Sequence, residues 1–115
     1  MEEIIHRGEI YLIDLYNGAG SEQNGVRPAV VVQNEIGNQH SPTTIVCPLT
    51  TKAKRLSITH ANLSRGSGVL QDSVVLCEQI RVIDKSRILK RLGEISPEKL
   101  NEINQKIMIS LGIGA

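Results

Sequence analysis

Aromatic residues are nearly absent from this chain. It has no tryptophan and no phenylalanine, and Tyr11 and Tyr16 are its only tyrosines. A core in these 115 residues must therefore be built from isoleucine, valine and leucine, and the β-branched members of this set favour strands. The length suffices for one domain, and no repeat or linker divides it, so residues 1–115 are predicted to form a single domain.

Long apolar runs, paired cysteines and a strong net charge are also missing. No apolar stretch approaches the ~18 residues that a membrane span needs, and the acidic start MEEIIHRG is unlike a signal peptide. We therefore expect a cytoplasmic protein with no membrane partner. Cys47 and Cys77 lack CxxC spacing, which favours two buried apolar residues over a metal site or a disulfide. The net charge of +1 gives no sign of a strongly basic nucleic-acid binder.

Short apolar segments, many of them β-branched, predict six strands in most of the chain. The predicted strands are 9–15, 28–33, 43–50, 56–63, 73–83 and 86–95. A long connection with three glycines, residues 16–26, separates the first two, and connections of this length are often functional or mobile. Pro48 falls inside the third strand, which suggests an edge position or a bulge there.

The end of the chain carries helix signals instead. Ser96 is a candidate N-cap, Pro97 suits the first helical position, and Gly112 suits the end. Between them, one apolar face is predicted to pack on the sheet: Leu100, Ile103, Ile107 and Leu111. Many short strands followed by one helix predict a mainly β fold, either a small barrel or a strongly bent sheet, with the helix covering an opening.

Arg27 places a permanent cation directly before the second predicted strand, which suggests a functional role for this residue. If the second and third strands pair antiparallel with Gln33 opposite Thr44, Arg27 lies opposite Thr50. If the third strand has a bulge at Pro48, Thr51 rather than Thr50 lies opposite Arg27. The residue before a proline is held extended, so Arg27 has a stiff base.

A guanidinium fork suits a phosphate, and a threonine hydroxyl adds one directed hydrogen bond. Together they are able to hold a phosphodiester and stabilise a five-coordinate phosphorus. The alternative is that Arg27 forms a structural ion pair with Glu22 or Glu78 at the rim of the sheet.

Four blocks of the chain resemble the MazF/PemK family of toxin endoribonucleases from bacterial toxin–antitoxin systems. These blocks are RGEIYLIDL, GSEQNGVRPAVVVQN, SPTTIVCPLT and DSVVLCEQIRVIDKSRI, and together they make the resemblance nearly full length. The most specific feature is Gly-Ser-Glu-Gln-x-Gly-x-Arg-Pro before a valine-rich strand. The chromosomal branch from Gram-positive bacteria is the most similar.

The resemblance implies a small SH3-like β-barrel of the MazF/PemK/CcdB type that acts as a homodimer. It further implies metal-independent, sequence-specific cleavage of single-stranded RNA without a cofactor, leaving 2′,3′-cyclic phosphate and 5′-hydroxyl ends. Arg27 and Thr50 would be catalytic. The implied partners are the RNA, an antitoxin that inserts a disordered segment, and operator DNA through the antitoxin complex only.

Further polar residues near this pair are candidates for RNA binding. Ser21, Glu22, Gln23 and Asn34 either read bases or lock loop backbone, and the same two roles are open for Gln79. Arg81 is a candidate phosphate contact, and the candidates that extend the phosphate track beyond Thr50 are Thr51, Lys52 and Lys54. Base stacking has only Tyr11 and Tyr16 to draw on. His6, His40 and His60 are expected to be surface or core residues rather than proton carriers.

Two other functions are compatible with such a barrel. One is an SH3-like toxin that poisons DNA gyrase without catalysis. The resemblance implies a C-terminal tryptophan for that activity, and this chain ends SLGIGA. The other is an inactive barrel that binds only the antitoxin or the operator complex, against which the intact Arg27 and Thr50 argue.

Overall fold

A computed structural model describes residues 4–16, 18–52 and 57–114 of the chain. The strands are β1 (Glu9–Asp14), β2 (Val26–Val31), β3 (Thr43–Thr50), β4 (His60–Leu63), β5 (Ser73–Leu76), β6 (Arg81–Asp84) and β7 (Ile88–Glu94). The helices are α1 (Glu35–His40) and α2 (Pro97–Leu111), and Cys77–Gln79 and Lys85–Arg87 form single 3₁₀ turns. Neither α1 nor α2 has the length and apolar character to cross a membrane.

All strand pairs are antiparallel, and β3 is the centre of the sheet. The strand order is β4-β5-β3-β2-β1-β7, and β6 pairs with the first half of β3. The β2–β3 ladder joins Ala29 to Pro48, Val30 to Cys47 and Val31 to Val46, which is the register predicted from the sequence. The predicted anchor pair, Gln33 and Thr44, is absent from this ladder, because the N–H groups of Val32 and Gln33 both donate to the carbonyl of Ile45.

The prediction that Pro48 marks an edge or a bulge was wrong. Pro48 pairs with Ala29 inside a central strand. On its other side β3 changes partner: Thr43–Val46 pair with β6, and Leu49–Thr50 pair with β5. Pro48 lies in the gap between these two ladders, where the missing N–H of a proline costs no ladder hydrogen bond.

The two ends of the strand order meet, which gives the sheet its barrel form. The connection between β4 and β5 packs against β7 at Gly68, where an added Cβ would lie 2.6 Å from the carbonyl oxygen of Leu92. One core, which includes Ile10, Val30 and Cys47, lies inside the barrel under α2. The alternate residues of the same strands, Tyr11, Val31 and Val46 among them, form a second core on the opposite face.

The predicted boundaries and apolar face of the terminal helix are confirmed, except in its last turn. The Ser96 side chain caps α2, Pro97 opens it, and Gly112 ends it in the left-handed conformation with φ 72°. Ile103 is fully buried, and Leu100 and Ile107 pack on the inner core. Leu111 was predicted on this face but is 55% exposed, because the elements under α2, β4 and the Cys77–Gln79 turn, cover only its earlier turns.

The predicted strands differ from the observed ones in three places. Predicted strand 73–83 breaks into β5, a 3₁₀ turn and β6, because the chain passes from one partner segment of β3 to the other. Residue 56 of predicted strand 56–63 lies outside the described residues, and of residues 57–63 only His60–Leu63 pair. Helix α1 was not predicted, and Asn34 caps it by accepting a hydrogen bond from the Gly37 N–H.

The two cysteines confirm their predicted structural role. Both are free and fully buried in the inner core. A hydrogen bond to Cys77 and burial raise the pKa of the Cys47 thiol, so Cys47 stays protonated and uncharged near neutral pH.

Candidate functional site

Arg27 and Thr50 meet at one end of the sheet. Extending the β2–β3 ladder by two residues places Arg27 opposite Thr50, and both follow the alternation that faces the second core. The two residues line one cavity, here called the Arg27 cavity. Its lining residues are Gln23, Arg27, Pro28, Leu49, Thr50, Thr51, Lys52 and Ser73.

The loop before β2 orients the Arg27 guanidinium. Arg27 Nε donates to the carbonyl of Asn24 at 2.8 Å, and one of its terminal nitrogens donates to the Gln23 side-chain oxygen. Among the described residues Arg27 forms no ion pair, so the alternative pairing with Glu22 or Glu78 is not observed. Because a guanidinium has five N–H donors, three remain for a ligand.

The Thr50 hydroxyl is held in a turn at the end of β3. Its oxygen accepts a hydrogen bond from the Lys52 backbone N–H at 3.1 Å. The hydroxyl hydrogen has no acceptor within the described part of the chain, so it is available to a ligand oxygen. Thr51 and Lys52 are exposed beside it.

A second cavity, here called the Arg81 cavity, adjoins the first and shares Gln23 with it. Its lining residues are Ala19, Ser21, Glu22, Gln23, Glu78, Gln79, Ile80 and Arg81. Gln79 binds the loop backbone here: its oxygen accepts the Gln23 N–H at 2.8 Å, and its nitrogen donates to the Ser21 carbonyl at 3.1 Å. Of the two roles open for Gln79, locking the loop is the one observed.

The two cavities differ in charge. The Arg27 cavity contains two cationic side chains, Arg27 and Lys52, and no carboxylate among its described lining residues. The Arg81 cavity combines one cation with Glu22 and Glu78. An anion is therefore favoured beside Arg27, and groups that donate hydrogen bonds are favoured beside the carboxylates.

One of the predicted site residues falls elsewhere. Asn34 follows the far end of β2 and caps α1, so it is not part of either cavity. Lys54 lies outside the described residues. The other candidates, Ser21, Glu22, Gln23, Thr51, Lys52, Gln79 and Arg81, all line one or both cavities.

The histidines divide between the two ends of the barrel. His6 pairs with Glu35, and His40 lies at the end of α1 near the start of β3, roughly 23 Å along that strand from Thr50. His60 is closer to the site than expected, since its Nε2 lies 3.2 Å from a Glu78 oxygen. Its Nδ1 is buried without a hydrogen-bond partner among the described groups.

Neither tyrosine presents an open ring to the cavities. Tyr11 is buried in the second core, and its hydroxyl donates to Glu9. Tyr16 is exposed at the base of the loop, where the Arg87 guanidinium covers its ring at 3.9 Å from the centroid. Of the two rings that could serve base stacking, Tyr11 is not accessible, because it fills the second core.

Two polar cavity residues, Ser73 and Glu78, were not proposed as part of the site from the sequence. Ser73 lines the Arg27 cavity because it opens β5, whose next residue, Val74, pairs with Thr50. Glu78 lines the Arg81 cavity and pairs with His60. The place of Ser73 in the cavity follows only from the β3–β5 pairing, which the sequence did not predict. Glu78 could have been proposed from the sequence, because it is next to the candidate Gln79.

Among the described residues, no three side chains of the metal-binding types cluster.

Comparisons with known proteins identify the family of this chain. The family model for PemK-like, MazF-like toxins of type II toxin–antitoxin systems matches residues 6–111. Endoribonuclease MazF of Staphylococcus saprophyticus is 44% identical over 112 residues, which cover 96% of this chain and 93% of that protein.

Solved structures give the same result. The crystal structure of MazF from Deinococcus radiodurans has a TM-score of 0.85, with 29% identity over 97% of this chain and 100% of that one. A mycobacterial endoribonuclease in complex with its cognate antitoxin has a TM-score of 0.81 and 26% identity, over 96% of this chain and 98% of that one.

Proposed function

The chain belongs to the family of PemK-like, MazF-like toxins of type II toxin–antitoxin systems, and from this premise we propose that it is an endoribonuclease that cleaves single-stranded RNA. The observation that carries the proposal is the Arg27 cavity, where a guanidinium with three unused N–H donors and a threonine hydroxyl converge without a carboxylate among the described lining residues. Such a site fits one phosphodiester.

The proposed reaction uses the 2′-hydroxyl of the substrate as nucleophile. The 2′-hydroxyl gives up its proton as its oxygen bonds to phosphorus, the bond from phosphorus to the 5′-oxygen breaks, and the leaving oxygen takes up a proton, so that no net proton is gained or lost. The products are a 2′,3′-cyclic phosphate and a 5′-hydroxyl. Because the attack is intramolecular, the protein mainly fixes geometry and stabilises charge.

Arg27 and Thr50 have distinct roles in this reaction. The Arg27 guanidinium stabilises the negative charge that develops on the phosphorane oxygens. Thr50 donates its free hydroxyl hydrogen to a non-bridging oxygen. Lys52, beside Thr50, extends the positive potential along the RNA backbone.

The Arg81 cavity is proposed to hold the nucleotide next to the scissile linkage. Glu22 and Glu78 are able to accept hydrogen bonds from base amino groups, and Arg81 is able to contact a phosphate or a base edge. Ser21 lines this cavity, and Gln23 lines both this cavity and the Arg27 cavity, so we propose that the glycine-containing loop contributes to sequence preference.

The proposed partners are a second copy of the chain and a cognate antitoxin. Four large apolar side chains are exposed in the last turn of α2 and just beyond it: Met108, Ile109, Leu111 and Ile113. A homodimer would bury this patch. A structural relative was solved with its cognate antitoxin, which supports an antitoxin as partner, and we propose that the antitoxin blocks the RNA site. Operator DNA is proposed to bind only through that complex.

The homodimer predicts a solution mass of twice the 12.6 kDa of one chain. Light scattering of the purified protein across a dilution series measures this mass directly. Replacing Leu111 with glutamate should shift the population to monomer, because the carboxylate would be desolvated in the interface. A dimer that persists unchanged in the Leu111→Glu protein would place the interface elsewhere.

The nuclease proposal is tested by incubating the protein with a mixed pool of RNA in excess EDTA. We expect cleavage at one short sequence, with cyclic phosphate and 5′-hydroxyl ends when the fragments are mapped and their termini analysed. Addition of excess cognate antitoxin should stop the reaction. Cleavage that requires a divalent metal ion, or fragments that carry 5′-phosphates, would contradict the proposed chemistry.

A further inference from the structure

The side chain of Gln79 spans the gap between the 3₁₀ turn and the loop before β2. Both ends of its amide bind loop backbone: the oxygen accepts the Gln23 N–H at 2.8 Å, and the nitrogen donates to the Ser21 carbonyl at 3.1 Å. These contacts join residues 56 and 58 positions apart in the chain. Gln79 therefore holds the loop against the barrel. Both hydrogen bonds are long-range in the sequence, so a turn within the loop does not form them.

Gln23 connects this closure to the cation of the site. Its backbone N–H is held by Gln79, while its side-chain oxygen accepts a hydrogen bond from a terminal nitrogen of Arg27. The next residue, Asn24, offers its carbonyl to Arg27 Nε at 2.8 Å. Two adjacent loop residues thus set the direction of the guanidinium, and Gln79 sets the position of the first of them.

We propose that Gln79 is a positioning residue that acts through Gln23 to hold the Arg27 guanidinium facing Thr50. The inference rests on the proposed nuclease function and deepens it. Preorganised donors stabilise a transition state because they need no reorganisation when charge develops. Both the oxygen and the nitrogen of the Gln79 amide bind loop backbone while the loop is closed, so we place its effect on catalysis in the loop rather than in a contact with the substrate.

The first test compares the steady-state kinetics of Gln79→Ala with those of the wild-type protein. We expect kcat to fall about 10- to 100-fold while KM changes less than about threefold, because the lost contact acts on transition-state geometry rather than on substrate binding. Gln105, exposed on α2, provides the matched control, and Gln105→Ala should keep wild-type kinetics. A Gln79→Ala protein that is as fast as wild type, or faster, would overturn the inference.

Gln79→Glu gives a readout that a purely structural role would not move. A charged carboxylate keeps an acceptor for the Gln23 N–H but repels the Ser21 carbonyl; once protonated, it donates to that carbonyl and restores both contacts. The rate of Gln79→Glu relative to wild type should therefore rise as pH falls from 7 to 5. Gln105→Glu controls for the added charge, and a relative rate that is flat across this range would contradict the proposed contact.

A double substitution tests whether Gln79 acts through Gln23. If both belong to one chain of contacts, Gln23→Ala with Gln79→Ala should be no slower than the slower single variant, whereas independent roles would multiply the losses. Circular dichroism and thermal unfolding of each variant verify the fold. If wild type cleaves RNA and Arg27→Ala does not, yet Gln79→Ala is unimpaired, the inference about Gln79 fails and the nuclease proposal stands. If wild type does not cleave, the nuclease proposal fails.

Discussion

Replacing Arg27 with alanine is expected to slow RNA cleavage by about a thousandfold or more. The side chain supplies the guanidinium that lines the cavity with Thr50, and loss of even a single oxyanion donor typically costs about 10²- to 10³-fold. Alanine removes the charge and three ligand-facing N–H groups together. Single-turnover cleavage of an end-labelled RNA with one cut site measures the effect.

Two control variants separate geometry from charge and from general folding. Arg27→Lys should recover little of the rate, because an ammonium group lacks the planar fork that the loop acceptors orient. Arg65 lies exposed in the connection between β4 and β5 and outside both cavities, so Arg65→Ala should cleave like wild type. Wild-type cleavage by a folded Arg27→Ala protein would remove Arg27 from the mechanism.

A single 2′-deoxy nucleotide on the 5′ side of the cut is expected to abolish cleavage of that linkage, by a factor on the order of 10⁴ or more. The substitution removes the nucleophile, and the intramolecular advantage is lost with it. Binding should change little, because Arg27 and Thr50 are proposed to contact the phosphate rather than the 2′ position. Competition against an uncut RNA measures affinity, and gel analysis of the labelled strand measures cleavage.

The position of the deoxy nucleotide provides the control for this experiment. Moved one nucleotide away from the cut, the same substitution should leave the rate within a few-fold of the all-RNA substrate. Efficient cleavage of the strand with deoxyribose at the cut would mean that water or a protein group attacks phosphorus. That outcome would contradict the proposed chemistry while leaving family membership intact.

The pairing of β2 with β3 was predictable from the sequence because the hydrophobic pattern of two adjacent strands permits few registers. A shift of one residue would turn Val31 and Val46 away from the second core. The same register places Arg27 opposite Thr50 from the sequence alone. The α2 boundaries were predictable because Ser96, Pro97 and Gly112 act through local backbone chemistry.

The features that the sequence did not reveal depend on non-local pairing. The break at Cys77 arises because β3 pairs with two different segments, β5 and β6, and the apolar residues of both segments read as one strand. The hydrogen bonds between the Gln79 side chain and the backbone of Ser21 and Gln23 join residues more than fifty positions apart. Leu111 continues the helical period of Ile103 and Ile107 but has no surface beneath it.

The central claim, that Arg27 and Thr50 bind the same scissile phosphate, is tested most directly by a crystal structure with RNA that carries the 2′-deoxy nucleotide at the cut. The account expects the uncut phosphate in the Arg27 cavity, with guanidinium nitrogens and the Thr50 hydroxyl on its non-bridging oxygens at hydrogen-bond distance. A scissile phosphate bound away from either side chain would contradict it.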